Sequence, residues 1–208
     1  MAVKSDGTLW CWGRNDYGQI GDGSSTGRSS PVQVGALTTW AKTSGGEYSS
    51  TAIKTDGTLW AWGQNTSGQL GINDITNRSS PVQVGALTDW VSISAGGFHT
   101  LGIRANGSLW AWGYSSDGRL GLGAIGSDKS SPVQVGAGTD WVQACAAYSH
   151  SLALKTDGTL WTWGLGTLGA TGLGGTASVS TPVQLGSLTT WAKVGQGIGN
   201  NSLVIQNK

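Results

Sequence analysis

Few residues in the chain have side chains suited to chemistry. His99 and His150 are the two histidines, and Cys11 and Cys145 the two cysteines, among 208 residues. A zinc site or a general base built on the histidines would need carboxylate or cysteine companions, and the sequence places none beside them. Fifty residues away in either direction stand Ser49 and Asn200, so a polar residue that satisfies the backbone of a turn accounts for all four positions. Cys11 is matched one repeat on by Ala61, Ala111 and Thr162, and Cys145 by Ser44, Ser94 and Gly195. Small residues at these places imply two buried thiols rather than a disulfide framework or a metal pair.

One stretch imitates a nucleotide site. Gly164-Leu165-Gly166-Thr167-Leu168-Gly169 matches G-x-G-x-x-G directly after a strand-like segment. A dinucleotide needs a helix N-terminus behind the glycines and an acidic residue about 20 positions on. A Gly/Thr/Ser loop follows instead, and no acid appears before the C-terminus. The carboxylates recur as Asp6, Asp56 and Asp157 in Asp-Gly pairs, which is turn chemistry. No catalytic, cofactor-binding or metal-binding residue is therefore assigned, no cofactor is called for, and the sequence names no binding residue.

What positions these residues is a repeat. Trp10, Trp12 and Trp40 return as Trp60, Trp62 and Trp90, then Trp110, Trp112 and Trp141, then Trp161, Trp163 and Trp191. Pro31, Pro81, Pro132 and Pro182 keep the same period of 50 or 51 residues. Units of this length stack and share a continuous core. The chain thus reads as a single repeat domain over 1–208, with repeats at about 1–50, 51–100, 101–151 and 152–201 and an extra terminal strand at 202–207.

Within a repeat, segments 90–94 (WVSIS), 100–104 (TLGIR) and 108–112 (SLWAW) are β-rich and separated by turn residues. Asp6-Gly7, Asp56-Gly57, Asn106-Gly107 and Asp157-Gly158 predict two-residue type I′ hairpins. Ser-Ser-Pro-Val-Gln-Val adds a fourth strand whose proline suits a strand start or an edge. Four short antiparallel strands per unit without helical periodicity predict an all-β, β-propeller-type array of four blades. The two indoles of Leu-Trp-x-Trp-Gly share a sheet face, so Trp10, Trp12 and their counterparts are expected between blades, covering the neighbour.

Met1–Lys4 is in register with Thr51–Lys54, and Ser202–Gln206 follows Trp191 as a second strand. Closing the array on itself would supply one strand twice. The arrangements left open are a four-bladed ring with a displaced end, an arc completed by another chain, and a window of a longer propeller. Exposed sheet edges favour assembly with neighbouring chains or additional blades.

Composition excludes several partner classes. Twelve Lys and Arg against 11 Asp and Glu give a net charge of +1 without a basic run, so nucleic acid is not expected. The uncharged interval after Trp161 is broken by Gly, Thr and Ser and fails as a membrane span. No signal-peptide stretch opens the sequence, and the glycosylation patterns at Asn65, Asn77, Asn106 and Asn200 are discounted with it.

The segment 56–71, Asp-Gly-Thr-Leu-Trp-x-Trp-Gly-x-Asn-x-x-Gly-Gln-Leu-Gly, resembles the regulator-of-chromosome-condensation repeat, and Ser94–Leu101 is similar to that family's Gly-x-x-His-Ser-x-Ala-Leu segment. The resemblance covers essentially the whole chain. It implies a propeller, usually of seven blades, serving as a platform for partner proteins; the founding member is an exchange factor for a small GTPase. This chain departs from it in having four repeats and no basic tail or inserted wedge, and repeat four drifts at Gly166, Ala170, Thr171 and Val179. The expectation is a non-enzymatic scaffold that binds proteins or itself, similar to bacterial and phage versions on cell or virion surfaces. An adhesin holding glycan or receptor through loops such as Gly71–Asn77 and Leu122–Asp128 is the alternative, and exchange activity comes third.

Overall fold

A computed structural model of the chain describes residues 1–195 and 201–206. The chain forms the expected all-β, propeller-type array. Three complete sheets each contain four consecutive antiparallel strands. These are β4 (Trp40–Gly45), β5 (Ser49–Lys54), β6 (Leu59–Gly63) and β7 (Arg78–Gln83); β8 (Trp90–Ala95), β9 (His99–Arg104), β10 (Leu109–Gly113) and β11 (Lys129–Gln134); and β12 (Trp141–Ala146), β13 (His150–Lys155), β14 (Leu160–Gly164) and β15 (Val179–Gln184). A three-stranded sheet of β1 (Ala2–Val3), β2 (Leu9–Gly13) and β3 (Arg28–Gln33) precedes them, and β16 (Trp191–Gly195) pairs with β17 (Leu203–Gln206) after them. Sheet and sequence repeat are offset, because a blade starts at the third tryptophan of its motif. Both β1 and β17 hold the second-strand position.

The hairpin between second and third strands explains Asp-Gly-Thr-Leu-Trp residue by residue. Asp56 Oδ1 accepts the Thr58 N–H at 3.0 Å and its hydroxyl at 2.7 Å, while Thr58 Oγ1 accepts the Trp60 Nε1–H at 2.9 Å. Leu59 is fully buried. The same chain of bonds recurs from Asp6, Asn106 and Asp157. The two-residue type I′ expectation is corrected. Gly57 N–H bonds to Lys54 O, closing a β-turn, and only Gly57 (φ +77°) then turns left-handed; Asp6, Asp56, Asn106 and Asp157 keep negative φ. This is a three-residue loop with a glycine bulge, and the acidic side chain serves as an acceptor rather than as a left-handed residue.

The long loop before the fourth strand is held by a buried asparagine. Asn65 Oδ1 accepts the Leu70 N–H at 3.0 Å, and its Nδ2 donates to Asp74 O at 2.9 Å. Asn15 does the same for Ile20, Ser24 and Thr26. With its amide so engaged and buried, Asn65 is closed to glycosylation; Asn200 lies outside the described residues. The fourth strand is outermost in each sheet that contains one, an edge position that accommodates Pro81.

Blades join through one recurrent seam. The first strands of successive blades meet, with Ser44 Oγ accepting the Ala95 N–H at 3.0 Å and Ser94 Oγ accepting the Ala146 N–H at 2.9 Å. Further out, Trp62, Trp112 and Trp163 are fully buried against the preceding blade. Their Nε1–H groups donate to the carbonyls of Gln19, Gln69 and Arg119 at 3.0, 3.0 and 2.9 Å. The expectation of inter-blade indoles holds for these three, and for the half-buried Trp60, Trp110 and Trp161, which pack on the same seam clusters. It does not hold for Trp12, which is 46% exposed, since no described residue covers its face.

Candidate interaction face

The loops joining first to second strands and third to fourth strands emerge at the same end of the array. There Tyr17, Tyr48, Phe98 and Tyr148 form a continuous aromatic row across successive blades, with ring centroids 5.5, 5.6 and 5.8 Å apart. Tyr114 packs on Phe98 at 6.3 Å. Arg14 lies over Tyr48 at 5.4 Å and Arg119 over Tyr114 at 4.9 Å. Local backbone geometry holds the row together. Gly97 N–H donates to Ala147 O, and a Cβ at Gly96 would lie 2.4 Å from that carbonyl, so only glycine allows the loops to approach this closely. Tyr148 is 38% exposed. The exposed side chains of Ile75 (64%) and Ile125 (61%) sit in the two variable loops at this end. The row offers flat rings beside cationic groups, a surface suited to apolar and aromatic side chains with hydrogen-bonding tips.

Beneath it lies a charge arrangement without an open site. Arg119 is buried, with Nη2 on Asp117 Oδ2 at 2.9 Å and Nη1 donating to Tyr148 O at 3.1 Å. His99 Nε2 is 2.8 Å from Ser151 Oγ, and His150 Nε2 is 2.8 Å from Ser202 Oγ. Burial, with Arg119 second, holds His99 well below its ordinary pKa and His150 down to about 4, so both rings are neutral at pH 7. The expectation that these histidines satisfy turn backbone is corrected: each meets the hydroxyl of the following blade, an inter-blade contact. Register also moves the counterpart of His150 from Asn200 to Asn201, because Leu203 pairs with Gly195 as Leu152 pairs with Cys145.

The other residues singled out by chemistry are structural. Gly164–Gly169 forms the loop after β14, closed by one 3-10 turn over Thr167–Gly169. Cys11 and Cys145 are buried in different seams, with Cys145 Sγ 3.2 Å from Gly195 O. Among the described residues no cluster of three or more His, Cys, Asp or Glu could hold a metal, and no helix is long and apolar enough to cross a membrane. Sequence reasoning missed the aromatic row. Its signal was available: Tyr48, Phe98 and Tyr148 recur every 50 residues.

Stacked four-stranded blades and indole-sealed seams define a β-propeller array. The chain belongs to the Regulator of chromosome condensation (RCC1) repeat family, whose repeat model matches residues 6–53, 56–103, 106–154 and 157–200; a second model of the repeat matches 40–69, 90–119 and 141–170. Among solved structures it is similar to human WBSCR16, with a TM-score of 0.87 at 21% identity, covering 99% of this chain and 55% of that one. It is also similar to yeast RCC1 (Prp20) in a complex with Kap60, with a TM-score of 0.84 at 22% identity over 99% and 52%. Prp20p from Saccharomyces cerevisiae, described with its binding properties to Gsp1p and histones, gives 0.82 at 21% over 99% and 53%. The chain thus spans about half the length of these structures. No curated protein matches it significantly.

Proposed function

We propose that the chain is a non-enzymatic protein-binding scaffold that presents the Tyr17–Tyr48–Phe98–Tyr148 row and the adjoining variable loops to a partner protein. The observation that carries this reading is the row itself, which spans four sheets and leaves Tyr148 open to solvent at the face where the loops differ most. Support for a role without catalysis comes from the committed state of the reactive groups: both histidines are neutral and buried, and the repeated aspartates are engaged in hairpins. Low charge and Gly/Ser/Thr-rich loops favour a place on a cell or virion surface.

An adhesin is the second reading, favoured by the same rings, since aromatic faces also stack on sugars. Exchange activity on a small GTPase comes third, because likeness to Prp20p at 21% identity is a likeness of fold. Probing a protein array and a glycan array with the wild type, Tyr148→Ala and Ile125→Ala separates them. Protein ligands lost in both variants are expected. Glycan ligands alone would establish the adhesin, and protein binding indifferent to both substitutions would remove this face as the site. Accelerated nucleotide release from a small GTPase would restore the third reading.

A further inference from the structure

The indole seam is met three times within the chain, and each half of it is also found once without its other half. In every complete seam the carbonyl two residues before Gly21, Gly71 or Gly121 accepts both a hydroxyl and an indole from the following blade; Arg119 O accepts Ser151 Oγ at 2.8 Å and Trp163 Nε1 at 2.9 Å. Trp163 lies among Leu101, Leu120, Val135 and Ala153, over Gly121, where a Cβ would be 2.8 Å from Nε1. One blade further on, Ala170 O accepts Ser202 Oγ at 3.3 Å and, among the described residues, no indole. The residues in register there, Leu152, Thr171, Gly172, Leu185 and Val204, line a cavity of about 370 Å3. A Cβ at Gly172 would meet only Leu185. Thr171, which stands where the other seams have Ile20, Leu70 and Leu120, is buried with its hydroxyl unpartnered among the described residues. This is an indole slot without its indole.

The missing half stands at the far end of the array. Trp12 occupies the place of Trp62, Trp112 and Trp163 in its strand, yet it is 46% exposed. We propose that copies of this chain join head to tail, with Trp12 of one copy seated in the slot at Ala170, Thr171 and Gly172 of the next. The interface would repeat the inter-blade seam already seen three times, with Trp12 Nε1 donating to Ala170 O beside Ser202. It would also unite β2 and β3 of one copy with β16 and β17 of the next as a four-stranded blade, β17 displacing the two-residue β1 and so removing the duplicate strand. A contact between unlike surfaces closes into a ring when its rotation allows and otherwise grows. Two copies would make a ring of about eight blades, within the range that propellers adopt. The inference rests on the chain being an interaction module, but it uses the ends of the array and not the loop face.

Light scattering on the purified chain tests it. The wild type is expected at twice or a higher multiple of the 21.3 kDa of one chain. Trp12→Ala and Gly172→Asn, the latter tolerated in the left-handed conformation that Gly172 adopts (φ +71°), are each expected at the mass of one chain with unchanged circular dichroism. Mixed, they should rebuild a two-copy species, since each variant retains the half the other has lost; a merely destabilised variant would not do so. A wild type at the mass of one chain overturns the proposal and leaves the slot to a further blade of the same repeat. So does a Trp12→Ala that keeps the wild-type mass, or a mixture that remains single. A Trp12→Ala copy that is single but still captures the same array proteins would uphold the scaffold reading and this inference together; loss of array binding with normal assembly would remove only the former.

Discussion

Trp62 Nε1 donates to the carbonyl of Gln19 at 3.0 Å, tying together residues 43 positions apart in adjacent blades. Ser50 Oγ reaches the same carbonyl at 2.7 Å, so one backbone oxygen anchors two side chains of the following sheet. Such a bond is made inside a buried apolar seam, where leaving either group unpaired costs more than the bond itself contributes.

Trp112→Ala removes the equivalent anchor on Gln69 together with a fully buried indole. A loss of about 3 to 5 kcal/mol is expected, a large share of the stability of an ordinary domain, of the order of 5 to 15 kcal/mol. Urea denaturation should show a much lower midpoint for Trp112→Ala, whereas an unchanged midpoint would place that indole outside the core.

Gly71→Ala separates backbone strain from collision. Gly71 (φ +73°) carries no Cβ because one would lie 2.7 Å from Trp112 Nε1, while Gly85 (φ +59°) has nothing within 4 Å of the same position. Gly85→Ala should cost only the left-handed penalty, about 1 to 2 kcal/mol. Gly71→Ala should cost clearly more, and equal melting temperatures for the two would refute the close approach.

The histidines predict a pH dependence with a definite sign. His150 is held down to about 4 by burial and then by Arg119, against 6.5 when exposed. Between these values the unfolded chain binds the extra proton, so stability is intact above about pH 6.5 and falls as the pH drops towards 4. His99 shifts in the same direction and adds to the slope. Melting curves from pH 7.5 to 4.5 should show this decline, and His150→Gln should flatten it; an unchanged slope in that variant would assign the decline to other groups.

Cys11 is buried, which pushes its thiol above the ordinary value. An aromatic disulfide reagent at pH 8 should therefore label it only at the rate at which the first seam opens, and Trp62→Ala should speed that labelling. Immediate stoichiometric reaction in the wild type would contradict the packing against Ile20 and Trp62.

The strands, the hairpins and the outer proline strand were legible in the sequence because each rests on neighbours within a few residues. The Asp56–Thr58–Trp60 relay is of this kind, although the turn type was misread: sequence shows that Asp-Gly makes a turn, but not which of the two residues is left-handed. His99 illustrates the opposite case. Its partner Ser151 lies 52 residues away, and a single histidine in a repeat gives no hint of that distance. The aromatic row was visible only as a period, and period does not tell whether three rings touch.

By itself the sequence determined the repeat, the four-strand unit and the family, since these follow from short-range turn chemistry and from indoles placed at matched positions. Tertiary structure decided what identical motifs become. Trp12 and Trp62 hold the same place in Leu-Trp-x-Trp-Gly, yet one is 46% exposed and the other fully buried. Burial of an indole depends on the blade against which it packs, and that is a property of the assembled array.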